Sequence, residues 1–149
     1  MIEWLEKAAE QGNANAQTNL AILFEEGRGV AQNLEVAAEW YEKAARSVPP
    51  NTTALTKLGL MYFSGRGVGQ NYTRAAELYS VAHAIGDPHD IHVMMAQWNL
   101  AVLYTNGQGV PRSDEAATVI YKEMAKAGQP GTNFLLAQRY HDGIGTKQR

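Results

Sequence analysis

Apolar positions along this chain fall at three- and four-residue spacing, the pattern of helices that each bury one face. Over residues 2–11, Ile2, Leu5, Ala8 and Ala9 share a face, and Gly12 is a stop signal. The spacing predicts a second helix from about Ala14 to Glu26, with Ala16, Leu20, Leu23 and Phe24 turned inward. Asn33 is a good N-cap for a third, ending near Ser47, whose inward residues are Ala37, Ala38, Tyr41 and Ala44.

The same grammar then recurs. Ala54, Leu58, Met61 and Tyr62 line one predicted helix, Asn71 caps the next, and Ala75, Ala76, Tyr79 and Ala82 face in. A third round uses Ala96, Leu100, Leu103 and Tyr104, then Ser113 as cap, then Ala116, Ala117, Tyr121 and Met124, ending at Gly128. A last helix is predicted with Leu136, Ala137 and Tyr140 inside. Trp4, Ala8 and Ala9 correspond to Trp40, Ala44 and Ala45, so the first helix reads as the second half of a repeat. The segments expected are 1–12 (second helix of a partial repeat), 13–48, 51–86, 87–128 and 129–149 (partial), in one repeat domain over 1–149.

A Gly-x-Gly turn punctuates each round: Gly27 and Gly29, Gly65 and Gly67, Gly107 and Gly109, Gly143 and Gly145. These eight are expected to be structural loop residues that take positive φ, where a side chain is strained. From helix Ala to loop Gly is 11 residues in three rounds (16 to 27, 54 to 65, 96 to 107), and only the junctions vary. The junction Gly86–His92 is six residues longer than the shortest. Asp87-Pro88 in it reads as an N-cap and first-turn proline, which would start the next helix near Pro88. A phosphate-loop reading of Gly65-Arg66-Gly67 lacks the preceding strand and the further glycines or Gly-Lys-Ser/Thr that such a site needs.

Composition narrows the function. Net charge is −2 and the 13 Lys and Arg are scattered, so the electrostatic footprint of a nucleic-acid binder is absent. No apolar run approaches the roughly 18–20 residues that span a bilayer, and the acidic start does not read as a signal peptide. No membrane insertion is expected, and localisation stays undetermined. Without cysteine there is no disulfide scaffold and no thiolate metal site. The remaining metal-type chemistry is His83, His89 and His92 with Asp87 and Asp90, a set equally suited to caps and solvated surface. No nucleophile motif or paired-acid cleft is legible, and neither catalysis nor a cofactor is expected.

The pattern A-x-x-x-L-[GA]-x-[LM]-[YF]-x-x-G-x-G-V, followed by paired alanines and an inward tyrosine, resembles the Sel-1-like repeat family, relatives of the tetratricopeptide repeats. The resemblance runs over essentially the whole chain, with Arg139 and Thr146 as departures in the last copy. It implies an all-α fold, a right-handed solenoid of antiparallel helix pairs, and a scaffold or adaptor role in bacterial or eukaryotic complexes. Carried over from that family, the groove-lining positions are Thr18, Ile22 and Glu25, Thr56, Leu60 and Phe63, Trp98, Val102 and Thr105, then Phe134, Gln138 and His141. Leu60, Phe63, Trp98, Val102 and Phe134 form the apolar stripe expected to bind another protein, as a peptide or helix. The alternative is a small-molecule, glycan or metal binder built on the His83, His89 and His92 junction. Self-association through the solenoid ends is a further expectation.

Overall fold

The structure is a computed structural model describing residues 2–129 and 131–142, with the Tyr140 side chain left aside. Among the described residues there are eight helices and no strand. They are α1 (Ile2–Glu10), α2 (Ala14–Glu26), α3 (Leu34–Ala45), α4 (Thr52–Ser64), α5 (Tyr72–Ile85), α6 (Ile91–Asn106), α7 (Asp114–Lys126) and α8 (Thr132–His141). The chain divides into two compact units, Met1–Asn71 with α1 to α4 and Tyr72–Arg149 with α5 to α8. Within each unit every helix packs on the one before it in the chain.

Small residues set how closely these helices approach. Ala37, Ala38 and Ala44 are buried beside Tyr41 in α3, and Ala75, Ala76 and Ala82 beside Tyr79 in α5. Leu20, Leu58 and Leu100 fill the centre of the facing helices. The core also takes residues outside the predicted stripes, among them Ala21, Leu55, Leu78, Val93 and Ile120. A helix with neighbours on two sides buries more than one stripe, which a single-face reading underestimates. At α8 the reverse holds. Ala137, expected inward, is exposed, because α7 is the helix packed against α8 and Ala137 lies off that contact.

Buried tyrosines tie polar groups into this core. The Tyr41 hydroxyl donates to Glu25 Oε1 at 2.6 Å, and Lys57 Nζ reaches the same oxygen at 3.3 Å. Burial, reinforced by the Glu25 carboxylate, pushes the Tyr41 hydroxyl well above the ordinary tyrosine range. Burial also raises Tyr79 and Tyr121. All three hydroxyls therefore stay neutral: Tyr41 donates to Glu25, whereas Tyr79 accepts from Asn99 Nδ2 at 3.5 Å.

The turns follow one geometry. Gly27, Gly65 and Gly107 end their helices in the left-handed conformation, and their N–H groups donate to Leu23, Met61 and Leu103. The backbone N–H groups of Arg28, Arg66 and Gln108 donate to the same three carbonyls at 3.0 Å, so one free carbonyl at each helix end accepts twice. The chain then returns: Asn33, Asn71 and Ser113 donate backbone N–H to Phe24, Tyr62 and Tyr104 at 2.8–2.9 Å. Asn33 and Ser113 also cap α3 and α7 with their side chains, as expected. Gly143, Gly145 and Thr146 lie outside the described residues.

The long junction departs from expectation. Helix α6 starts at Ile91, not near Pro88, and its cap is Asp90, which accepts from His92 N at 2.7 Å and Val93 N at 3.4 Å. Asp87 instead accepts from His89 N at 2.8 Å, closing a side-chain turn before the helix. Proline would have allowed either start. Asp90 caps two amides in the first turn of α6 itself, which Asp87 at this turn does not.

The second glycine of each turn has a separate duty. Gly29, Gly67 and Gly109 all have φ of 72–75°. A Cβ on Gly67 would lie 2.5 Å from the carbonyl oxygen of Leu34, at the start of α3, whereas nothing lies within 4 Å of one on Gly29. Gly109 meets the backbone of Tyr72, at the start of α5, in the same way. Gly29→Ala should therefore cost about 1 kcal/mol for its positive φ alone. Gly67→Ala should cost at least about 1 kcal/mol more, because backbone must shift. Urea denaturation of the two variants checks this, and equal midpoints would show that the close approach to Leu34 carries no energy.

Candidate functional site

Two features of the second unit stand out against the repeat. The first is an apolar cleft of about 200 Å³ on α6, walled by Ile91, Met94, Met95 and Trp98, with Met124, Gln129 and Thr132 at its other side. Trp98 is 40% exposed and Met95 39%, and Ile91 is 66% exposed at the rim. The indole is not loose. Its ring stands edge-on to Tyr121, centroids 5.7 Å apart at 69°, so one side is anchored in the core and the other faces solvent.

Register explains why Trp98 stands out. The same position holds Thr18 and Thr56, expected on the groove but buried, at 4% and 0% exposure. Thr18 satisfies its hydroxyl on its own helix, donating to Ala14 O at 2.8 Å. A short side chain fits beneath the neighbouring helix, while an indole at that register has to emerge. Phe134, next in register, is 74% exposed. Of the expected stripe, Trp98 lines the cleft and Val102 and Phe134 do not. Val102 is half-buried on α6. Leu60 and Phe63 are half-buried on α4 of the first unit. Glu25, another expected groove position, is committed to Tyr41 and Lys57.

The second feature is a polar cleft of about 470 Å³ at the long junction, lined by His83, Gly86, Pro88, His89, Gln97, Glu123, Lys126 and Ala127. His83 Nε2 lies 2.8 Å from Glu123 Oε2 and His83 Nδ1 3.1 Å from Gln97 Nε2. His92 is not in this lining; its Nδ1 faces Asp90 Oδ1 at 3.6 Å. The three junction histidines therefore do not converge, and among the described residues no group of three or more His, Cys, Asp or Glu is placed to hold a metal ion. Gln97, Glu123 and Gln129 were not foreseen as a group. A signal was present: His83 occupies a position that holds alanine in the other copies, Ala9, Ala45 and Ala125.

In the first unit an apolar cleft of about 430 Å³ opens beside α1, lined by Ile2, Leu5, Ile22 and Leu23 with Trp4, which is 73% exposed, and the turn residues Arg28 and Gly29. Among the described residues no helix is long and apolar enough to cross a membrane.

The Sel1 repeat model matches residues 2–13, 14–47, 52–82, 95–129 and 132–148. The chain belongs to the Sel1 repeat family. Its fold is that family's all-α solenoid of antiparallel helix pairs. A protective antigen of uropathogenic Escherichia coli strains displaying an SLR fold is similar over 99% of this Sel1 chain, with a TM-score of 0.87 and 31% identity. A Sel1 repeat protein from Oxalobacter formigenes is similar over 99% of the chain, with a TM-score of 0.86 and 32% identity. Helicobacter pylori cysteine rich protein B is similar over 58%, at 0.54 and 28%. The chain spans 30%, 58% and 63% of those three chains. The chitin synthase regulator SKT5 of Saccharomyces cerevisiae is 44% identical over 43 residues, 29% of this chain and 6% of the regulator. Sel1 repeats are typically protein-interaction modules and generally non-catalytic scaffolds.

One buried group beside the Trp98 cleft has no task in the fold. Thr132 Oγ1 is buried without a hydrogen-bond partner among the described residues. Replacing a hydroxyl of this kind by a methyl removes a desolvation penalty of about 1–3 kcal/mol instead of a bond. Thr132→Val should leave the melting temperature unchanged or raise it. A clear drop by calorimetry would show that the hydroxyl is engaged.

Proposed function

We propose that this Sel1 chain is a protein-interaction scaffold, without catalysis of its own, that docks a partner segment at the Trp98 cleft. The observation that carries this reading is a tryptophan held edge-on by a core tyrosine and still 40% exposed, beside the flexible thioethers of Met94 and Met95. Interfaces concentrate their energy in such residues: a rigid aromatic gives large contact area at little entropic cost, and methionine adapts to what it meets. Val102 and Phe134, on the same unit, extend the proposed stripe as flanking contacts, and Leu60 and Phe63 on α4 of the first unit are proposed as partner contacts in their own right. The partner is a protein or peptide presenting an apolar side chain sized for the cleft. A polar stretch of nucleic acid does not match this lining.

The test is a peptide library panned against the whole chain, followed by calorimetric titration of the selected peptides. Trp98→Ala should weaken them at least about tenfold, consistent with an interface residue worth 2 kcal/mol or more. Losing the edge-on contact to Tyr121, worth about 0.5–1.5 kcal/mol, should lower the melting temperature by several degrees while the helical circular dichroism is kept. Val119→Ala, at an exposed apolar residue of α7, is the control and should change nothing. Peptides that bind Trp98→Ala as well as the parent chain would overturn the assignment.

A further inference from the structure

The polar cleft at the long junction contains a hydrogen-bond chain whose direction can be read from one atom. Gln129 Nε2 lies 3.2 Å from the carbonyl oxygen of Pro88 and 2.9 Å from Gln97 Oε1. A carbonyl oxygen only accepts, so the Gln129 amide must present its NH₂ group there, with one hydrogen for each neighbour. Gln97 then turns its oxygen toward Gln129 and its own NH₂ toward His83 Nδ1, 3.1 Å away. His83 Nδ1 must accept, which leaves the ring proton on Nε2, directed at Glu123 Oε2 at 2.8 Å. Gln97 and Gln129 are buried, at 3% and 5% exposure, so neither can exchange its partners for bulk water.

We propose that this chain is a one-way relay that fixes His83 as its Nε2–H tautomer and comes apart when the ring takes a second proton, loosening the α5–α6 junction. A proton on Nδ1 would face the NH₂ group of Gln97. Turning Gln97 over to accept it would set two NH₂ groups against each other at Gln129. Turning Gln129 as well would set its oxygen against the Pro88 carbonyl. Every rearrangement leaves one mismatched contact, and the least costly break is at Pro88, on the exposed junction.

The charged groups around the ring act in both directions. On α7, Glu123 favours the doubly protonated ring and Lys126 opposes it; His89, on the junction, opposes it when itself charged. Tyr79, one turn back on α5, is neutral and accepts from Asn99 Nδ2. Glu123 is half exposed, so its attraction is softened by solvent, whereas the two glutamines that must rearrange are buried.

The relay is particular to this unit. In the first unit the matching Gln17 donates to Ala9 O at 3.0 Å and meets no imidazole, and in the middle copy the position is Leu55. The extra residues of the junction are what bring the Pro88 carbonyl to Gln129.

The test is nitrogen-15 and carbon-13 NMR of the intact chain as it is titrated through the range in which histidine charges. At the alkaline end His83 should show the Nε2–H tautomer. On acidification the side-chain NH₂ signals of Gln97 and Gln129 should move with the midpoint of the His83 ring. Amide exchange over Gly86–Val93, corrected for intrinsic pH dependence, should rise about tenfold, the equivalent of one hydrogen bond. In Gln97→Leu, which copies the residue of the middle repeat, His83 should titrate while Gln129 stays still. Glu123→Gln keeps an acceptor for Nε2–H and should preserve the coupling. An Nδ1–H tautomer, Gln129 signals that ignore the His83 titration, or coupling that survives Gln97→Leu would overturn the relay. If Gln97→Leu does not fold, the tautomer and the parent titration decide by themselves.

Discussion

The structure depends on a backbone-to-backbone contact that only glycine permits. Gly67 lies against the carbonyl of Leu34 and Gly109 against the backbone of Tyr72, each at the start of the second helix of the preceding pair. Both residues also need positive φ, so the position is constrained twice. Once the turn is fixed there, the return of the chain to Tyr62 and Tyr104 follows, and with it the depth at which the alanines and tyrosines of those pairs meet. Repeat stability of this kind is a sum of pair and neighbour terms, and this contact is where one pair is registered on the next.

A scaffold determined so locally leaves other positions free to vary. The register shared by Thr18, Thr56, Trp98 and Phe134 shows the consequence. Threonine there is absorbed into the packing, whereas Trp98 and Phe134 are 40% and 74% exposed. The alanine position that becomes His83 shows the same freedom on the other helix of the pair. There the substitution draws Gln97, Gln129 and Glu123 into a polar network. Function in a Sel1 array is therefore sought where one copy breaks the rule that its siblings keep.

Much of the fold was legible because its determinants are short-range. The spacing of Ala16, Leu20 and Gly27, and its echo at Ala54 and Ala96, gave the helices and turns directly. Sequence could not tell which of Asp87 and Asp90 caps α6, since both precede a suitable first turn and the outcome rests on how the junction closes. It also could not show that Glu25 is committed to Tyr41 and Lys57, residues 16 and 32 positions away. The direction of the His83 network was out of reach for the same reason. It is fixed by Gln129 and Pro88, 41 residues apart, through a carbonyl that every residue carries. Trp98 could be singled out because it breaks a register, but its edge-on contact with Tyr121 needed coordinates.

The most direct measurement is methyl NMR of the chain carrying carbon-13 methionine methyls, recorded while a panned peptide is added. The account predicts that the Met94, Met95 and Met124 methyls and the Trp98 indole shift together with one binding constant, while Met61, buried in α4 of the first unit, stays put. Saturable binding that leaves Met94, Met95 and Trp98 unmoved would place the partner elsewhere and contradict it.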